Sequence, residues 1–501
     1  MKKIIFFLFI HQCFFGQSIS LNTDFANNGY YIATNPYYFN KAKILSNEKI
    51  IFGCRYLANT NTLTYNVLLL RFNPDGTIDS TFGSNGVSAN LLSEDSFLNS
   101  ITIQSDNKIL VCGEYYTNSN ATSNAFVARY NENGTIDNTF GTNGIVKLNT
   151  ANYNFYSAGS IKLDSNQKII VAGDTGTQTF IARFNTDGSL DASFCDNGIK
   201  ICNTSSFQFT VESDQLNILA DDTMLLNGIE YTDSNNPKSA MVKYNPDGSY
   251  CTSFANNGIL LIDLSNNSAG ESIFNVQFSN QIYYVLTAGD YSNGQRYILK
   301  ISPDGTVDTS FGTNGLLPIP SPFSVLQNSG KIIYANYITP SDTNSDLTRF
   351  QRLNQDGSQD LTFNNNQGDF IINPTSNQDR FLFLLLQSNG NIIAFGDTKT
   401  TGLPSQKALV TNLIIDDNLS TNNNTVTENT VAPNPNNGTF YCNSIETISS
   451  ISVLDILGQE VYHQFNIQHL QAIQTNLKTG IYFLKINFDS GKEAIQKIII
   501  E

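Results

Sequence analysis

Hydrophobic positions fall along this chain in short runs separated by clusters of turn residues. Residues 71–87, RFNPDGTIDSTFGSNGV, carry the pattern in full. The run Leu69-Leu70-Arg71-Phe72 is apolar and ends on a basic residue, as suits a buried strand bounded by a turn. Asn73-Pro74-Asp75-Gly76 follows. Proline presets φ, aspartate bonds nearby backbone, and glycine takes positive φ at little cost. Asp79 and Phe82 then lead to a second turn at Asn85-Gly86, with Phe82 as a buried anchor.

The pattern repeats. Its phenylalanine falls at Phe25, Phe82, Phe140, Phe194, Phe254, Phe311 and Phe363, at intervals of 57, 58, 54, 60, 57 and 52 residues. A steady period of this length in a strand-rich chain predicts propeller blades or a beaded array. Two further landmarks agree on seven units. Hairpin turns recur at Ser46-Asn47-Glu48-Lys49, Ser105-Asp106-Asn107-Lys108 and Ser165-Asn166-Gln167-Lys168, then at Asp221-Asp222-Thr223-Met224, Ser279-Asn280-Gln281-Ile282, Asn328-Ser329-Gly330-Lys331 and Ser388-Asn389-Gly390-Asn391. Basic strand ends fall at Arg71, Arg129, Arg183, Lys243, Lys300 and Arg352, with Thr411 as a degraded seventh. In the third unit, strands are expected near 145–148, 160–163, 168–173 and 179–185.

The phase of the repeat predicts closure. The first unit starts mid-motif at Asp24-Phe25, and the last stops after its strand. These are complementary halves, which a ring needs if its last blade is completed by the first strand. The strand after Gly29 is expected beside residues 408–413. Over residues 21–416 the repeat resembles the delta-60 family, a family described by its repeat. That resemblance implies no activity.

The ends differ from the middle. Lys2-Lys3, the apolar run 4–10 and Phe14-Phe15-Gly16 form a secretory signal, with cleavage expected near Gly16 and Gln17. That run is too short to span a bilayer, and no other long apolar run occurs. A polar linker, 415–428, precedes a last module at 429–501. Taken on its own strands, that module is a small β-sandwich. Pro433-Asn434-Pro435, the turn Leu457-Gly458-Gln459, the strand around Gly480 and Tyr482, and the terminal run from Lys497 resemble the type A C-terminal sorting domain of the type IX secretion system. The resemblance implies a Bacteroidetes-type outer membrane. It also implies recognition by the secretion machinery and release or surface attachment. The final Glu501 departs from the usual basic end.

The expected architecture is therefore all-β: signal 1–16, a closed seven-bladed propeller 17–414, the linker, and an Ig-like sorting sandwich. Composition narrows the chemistry. The net charge is −15, with 14% charged residues, which argues against a nucleic-acid partner. Of three histidines, His11 lies in the signal and His463 and His469 in the last module. The propeller therefore has no Ser-His-Asp or Cys-His hydrolase site and no histidine-ligated metal. Tryptophan is absent, so tyrosine or phenylalanine would have to stack on any sugar.

Asn73, Asp75, Gly76 and Asp79 mimic part of a calcium loop. Arg71 in the first ligand position and Phe82 in the last oppose it, and no cofactor is expected, structural calcium being the alternative. Asp221-Asp222 is the one hairpin turn that offers a carboxylate pair, and a solvated turn is the plainer reading. Cys195 and Cys202 flank Asn197-Gly198 and could pair across that turn. The leading functional expectation is a non-catalytic secreted or surface-displayed binding propeller, for a glycan or another surface protein. A carboxylate-using carbohydrate-active enzyme and a structural spacer are the alternatives.

Overall fold

The computed structural model describes residues 18–35, 37–59, 64–117, 122–148, 154–202, 209–210, 214–233, 238–262, 272–279, 282–288, 296–321, 323–338, 347–375, 377–399, 406–416, 430–432, 436–443, 447–455, 459–467, 471–489 and 493–500. The chain divides into two compact units, 1–417 and 418–501. Among the described residues the first unit is all-β apart from a single turn of helix, Phe363–Asn366.

That unit holds seven antiparallel sheets among its described residues. The second sheet shows the plan: Ser96–Ile103, Ile109–Thr117, Thr122–Tyr130 and Ile145–Lys147, paired in that order. The repeat motif joins its third strand to its fourth. Residues 145–148 therefore do not open the third unit, as the sequence spacing suggested. Ile145–Lys147 pairs back on Phe126, Val127 and Ala128 of the strand before the motif. The third sheet begins instead at Ser157–Leu163 and continues through Ile169–Asp174, Thr179–Phe184 and Ile199–Ile201.

The ends of the unit share one sheet. Tyr30, Tyr31 and Ile32 pair with Thr411, Val410 and Leu409, beside the expected strand. Ser18–Leu21 also pairs with that strand, Gln406–Asp416, farther along. The first strands of successive sheets pack against one another for most of the series, and Gln378–Leu386 of the last packs on Tyr37–Ile44 of the first. Between those two sheets Phe52 meets Phe72 and Phe395 edge-on at 5.1 and 5.2 Å. Burying such rings supplies about 1.5–3 kcal/mol apiece.

The first strands carry a recurrent bulge. Register slips between Phe39 and Lys41, Leu98 and Ser100, and Ala158 and Ser160. In the first two the extra residue points a side chain at the next sheet: Asn40 Nδ2 donates to Leu98 O at 2.8 Å, and Asn99 Nδ2 to Ala158 O at 3.3 Å. Glycines face the bulges because a Cβ at Gly113 would sit 1.9 Å from Phe97 O.

The second unit has two sheets on one core. Thr430–Ala432, Thr439–Asn443 and Ala472–Gln474 form one; Glu460–Ile467, Ile448–Leu454, Gly480–Phe488 and Glu493–Ile500 form the other. Phe440, Ile451, Ile473, Leu484 and Ile498 are buried between them.

Candidate functional site

The motif residues come together, and what they build is a latch between neighbouring sheets. Asn73 O accepts from Gly76 N at 2.9 Å, and Gly76 stands at φ +79°. Asp75 Oδ1 accepts from the Thr77 amide and hydroxyl at 3.0 and 2.6 Å. Asp79 is buried and divides its carboxylate. Oδ2 accepts from Arg71 Nε at 2.6 Å and Lys49 Nζ at 2.8 Å, and Oδ1 from the Thr81 amide and hydroxyl. The guanidinium lies over the Phe82 ring at 4.6 Å, and its Nη1 reaches Glu132 O in the next copy's turn at 2.5 Å. Gly86, at φ +90°, closes the second turn on Phe82 O at 2.8 Å. The Lys-Asp-Arg arrangement recurs at Lys108, Asp137 and Arg129, at Lys168, Asp191 and Arg183, and at Lys331, Asp360 and Arg352. These carboxylates are thus committed to internal donors. Among the described residues no group of three or more histidine, cysteine or acidic side chains is placed to hold a metal ion.

Three sequence assignments change. The seventh basic position is not Thr411. In strand register Asn412 stands opposite Ile393 as Arg71 stands opposite Ile51. Asn22 takes the aspartate's place and donates Nδ2 to Asn412 Oδ1 at 3.1 Å, so the junction of chain ends carries an uncharged pair. The fourth hairpin turn lies one residue earlier, since Leu219 N donates to Thr223 O as Leu45 N does to Lys49 O. Thr223 therefore replaces the lysine, and Cys251 stands where five of the copies have aspartate, its amide donating to Lys243 O at 2.9 Å. Asp221 caps Thr223, while Asp222 accepts from the Ser165 amide and hydroxyl of the preceding sheet at 2.8 and 2.5 Å. Both carboxylates are engaged in turn and sheet contacts rather than facing each other across a cleft.

Cys195 and Cys202 are free thiols. Cys195 is exposed, its Sγ 3.2 Å from Asp247 O. Cys202 is buried, and burial pushes its thiol up to about 12. Maleimide treatment of the native chain should label Cys195 and spare Cys202, and reductant should leave the melting temperature unchanged. Equal protection of both, lost on reduction, would restore the disulfide.

The sequence did not single out a cluster on the facing first strands. Lys162 Nζ lies 2.5 Å from Asp214 Oδ1, and Ser100 Oγ donates to the same oxygen at 2.8 Å. Lys41 and Lys43 of Tyr37–Ile44 act electrostatically on both Lys162 and Asp214. Burial opposes ionisation of Asp214, but Lys162, Lys43 and Lys41 outweigh it and hold the carboxyl far below its usual range. The charge of Lys162, and then burial, lowers Lys43. Asp214 keeps 33% of its side-chain surface accessible and Lys162 19%. The first strands that carry or adjoin these residues pack on one another, so the cluster lies where first strands meet.

The two ends of the first unit differ. One carries the motif and the hairpin turns in repeated form. At the other, the links between second and third strands range from four residues at 175–178 to eight at 339–346. Here the Arg55 guanidinium lies between the rings of Tyr65 and Phe97, 3.5 and 3.7 Å from their centroids.

In the second unit, Gly480 and Tyr482 pair with Ile500 and Ile498, and Lys497 with Phe483. Tyr482 Oη donates to Lys478 O at 2.9 Å. Gly16, Gln17, Pro433, Asn434, Pro435 and Gly458 lie outside the described residues.

These features define an all-β protein of propeller type that carries a separate C-terminal module. A family model described as a secretion system C-terminal sorting domain matches residues 430–501. One described as a β-propeller domain of unknown function (DUF5122) matches residues 64–82, 104–140, 165–194, 285–311 and 327–363. The longest stretch left out between these matches is 195–284, in which Thr223 and Cys251 break the ion-pair pattern. The sorting domain indicates secretion or display at the cell surface. No helix among the described residues is long and apolar enough to cross a membrane.

No curated protein matches the chain. Among solved structures, one of PorZ, an essential surface component of the type-IX secretion system of Porphyromonas gingivalis, is 10% identical over 93% of this chain, with a TM-score of 0.38. This chain spans 59% of PorZ. A Dyadobacter fermentans protein of unknown function (10% identity, 79% of this chain, 99% of that one, TM-score 0.38) is also similar. So is the β-propeller domain of the Trilobed protease from Pyrococcus furiosus (10%, 77% and 99%, TM-score 0.38). Likeness at this level carries no functional inference.

Proposed function

We propose that this is a non-catalytic binding protein, exported by the type IX system of a Bacteroidetes-type bacterium and released or held at its surface. In this reading a signal at 1–16 is removed, and residues 17–414 form a closed seven-bladed propeller of delta-60-type repeats. Residues 415–428 are a linker, and the Ig-like module 429–501 is the address read by the secretion machinery. The ligand is taken at the end with variable links.

The observation that carries the reading is the contrast between the two ends. Repeated side chains at one end are consumed in holding sheets together. Links of unequal length and a stacked Arg55 lie at the other, where fixed scaffolds usually place binding. Binding is favoured over hydrolysis because Asp221 and Asp222, the carboxylate pair the sequence offered, are engaged as turn and sheet contacts.

A melting-temperature screen of the full chain against a panel of neutral and acidic polysaccharides tests the proposal. A ligand at a hundredfold excess over Kd adds about 2.7 kcal/mol of apparent stability. A shift without cleavage of the glycan supports a binder, and cleavage overturns it in favour of an enzyme. No shift with any member points to a protein partner or a spacer.

A further inference from the structure

We propose that the cluster where the first strands meet holds an oxyanion site, in which Lys43 and Lys162 take the sulfate, phosphate or carboxylate group of an acidic ligand. The inference rests on the reading of the first unit as a closed binding propeller, and it names the chemistry of one ligand.

Strand register puts the residues at one level. Lys43, Thr102, Lys162 and Asn217 stand opposite Ile51, Leu110, Ile170 and Leu225, equivalent positions of four successive sheets. Gln277, opposite Tyr284, continues the polar series in the fifth sheet, and only Val325 and Leu385, opposite Ile333 and Ile393, are apolar at that level. One arc of that level is cationic and polar, and the other is apolar. A structural repeat has no need of that asymmetry, and it resembles the uneven lining of a ligand site.

The charge balance selects an anion. Asp214 is already shared by Lys162 and Ser100. Among the described residues Lys43 and Lys162 alone outnumber it. Lys41 lies beside them with contacts of its own and is not needed for the count. The repulsion between Lys43 and Lys162 is the largest influence on Lys43, so the pair gains from a shared negative group. Between packed first strands, where Lys162 and Asp214 are only partly exposed, such attraction is less screened than at an open surface. A cation would meet two ammonium groups and a carboxylate already bonded.

The competing account makes Asp214 a clamp that ties sheets together, with the lysines serving only to neutralise it. The two accounts predict opposite effects of removing the carboxylate. The experiment measures melting of the full chain with inorganic sulfate, with oligogalacturonate and with a neutral oligosaccharide, each at constant ionic strength balanced with chloride. Wild type should be stabilised by sulfate, Lys43→Gln should weaken that binding about tenfold, and Asp214→Asn should tighten it. Stabilisation by oligogalacturonate beyond that by sulfate assigns the anion to a glycan chain, and equal effects assign it to a free small acid.

Sulfate and oligogalacturonate without effect on wild type would overturn the proposal, as would a shift of the same size in Lys43→Gln. If Asp214→Asn does not fold, Lys43→Gln decides. A neutral oligosaccharide that binds wild type and Lys43→Gln alike, with no acidic effect, would leave the binding function standing and remove only this site.

Discussion

Asp79→Ala is expected to destabilise the first unit by about 3–5 kcal/mol, measured as a fall in the denaturant midpoint of the full chain. The side chains of Arg71 and Asp79 are only 7% and 4% exposed. Deleting the carboxylate leaves a guanidinium away from water with no anion beside it. It also removes the acceptor for the Thr81 amide and hydroxyl and for Lys49. The comparison that isolates burial is Asp308→Ala. Lys300 and Asp308 make the same kind of pair at 3.0 Å, but their side chains are 19% and 31% exposed. A pair open to solvent is worth about 0–1 kcal/mol. Equal losses in the two variants would mean that the Arg71 contact is not buried as described.

The same carboxylates set the acid limit. Burial raises Asp360, but Lys331, Thr362 and Arg352 outweigh it and bring it down to about 2. At Asp191 the Ser193 hydroxyl contributes most, against burial, with Lys168 and Arg183 behind it, and the result is again about 2. Asp79 and Asp137 are also held below the ordinary 3.8. A depressed folded value means stability that is fully present above the unfolded value and lost as pH falls through the folded one. Acid unfolding should therefore run from near 3.8 down to about 2, and Asp79→Ala should flatten that slope.

The repeat was legible because its signals are local. Pro74, Gly76 and Gly86 report backbone conformation, and Arg71 and Asp79 are eight residues apart. Phase was harder. Residues 145–148 follow the Asn143-Gly144 turn, and nothing in their composition says whether they pair forward or back. At the junction of chain ends the motif loses its charges, so Asn412 and Asn22 were invisible as the counterparts of Arg71 and Asp79. The first-strand cluster could not be read at all. Lys43 and Lys162 come from two sheets and Asp214 from a turn just ahead of a third, and each alone looks like a solvated polar residue. Only the packing of first strands brings them together.

The turn glycine gives the second large effect. Gly76→Ala should cost about 2–5 kcal/mol, because two penalties add. The first is conformational: at φ +79° any L side chain pays about 1–2 kcal/mol. The second is steric, since the new Cβ would stand 2.7 Å from the ring carbons of Phe25. Phe25 belongs to the neighbouring copy and is fully buried, so the ring has little room to retreat, and overpacking of this kind adds about 1–3 kcal/mol. Gly368 separates the terms. Its φ is +80°, but the nearest atom to a Cβ there is 3.6 Å away, so Gly368→Ala should show the conformational penalty alone. The same contact recurs at Gly134 on Phe82 and Gly357 on Phe311. A surplus of about 1–3 kcal/mol at Gly76 therefore measures how tightly one copy of the motif is pressed onto the next. If the two alanine variants lose the same stability, glycine is present only for its backbone freedom, and the rigidity assigned to the sheet-to-sheet latch must come from the arginine contacts instead.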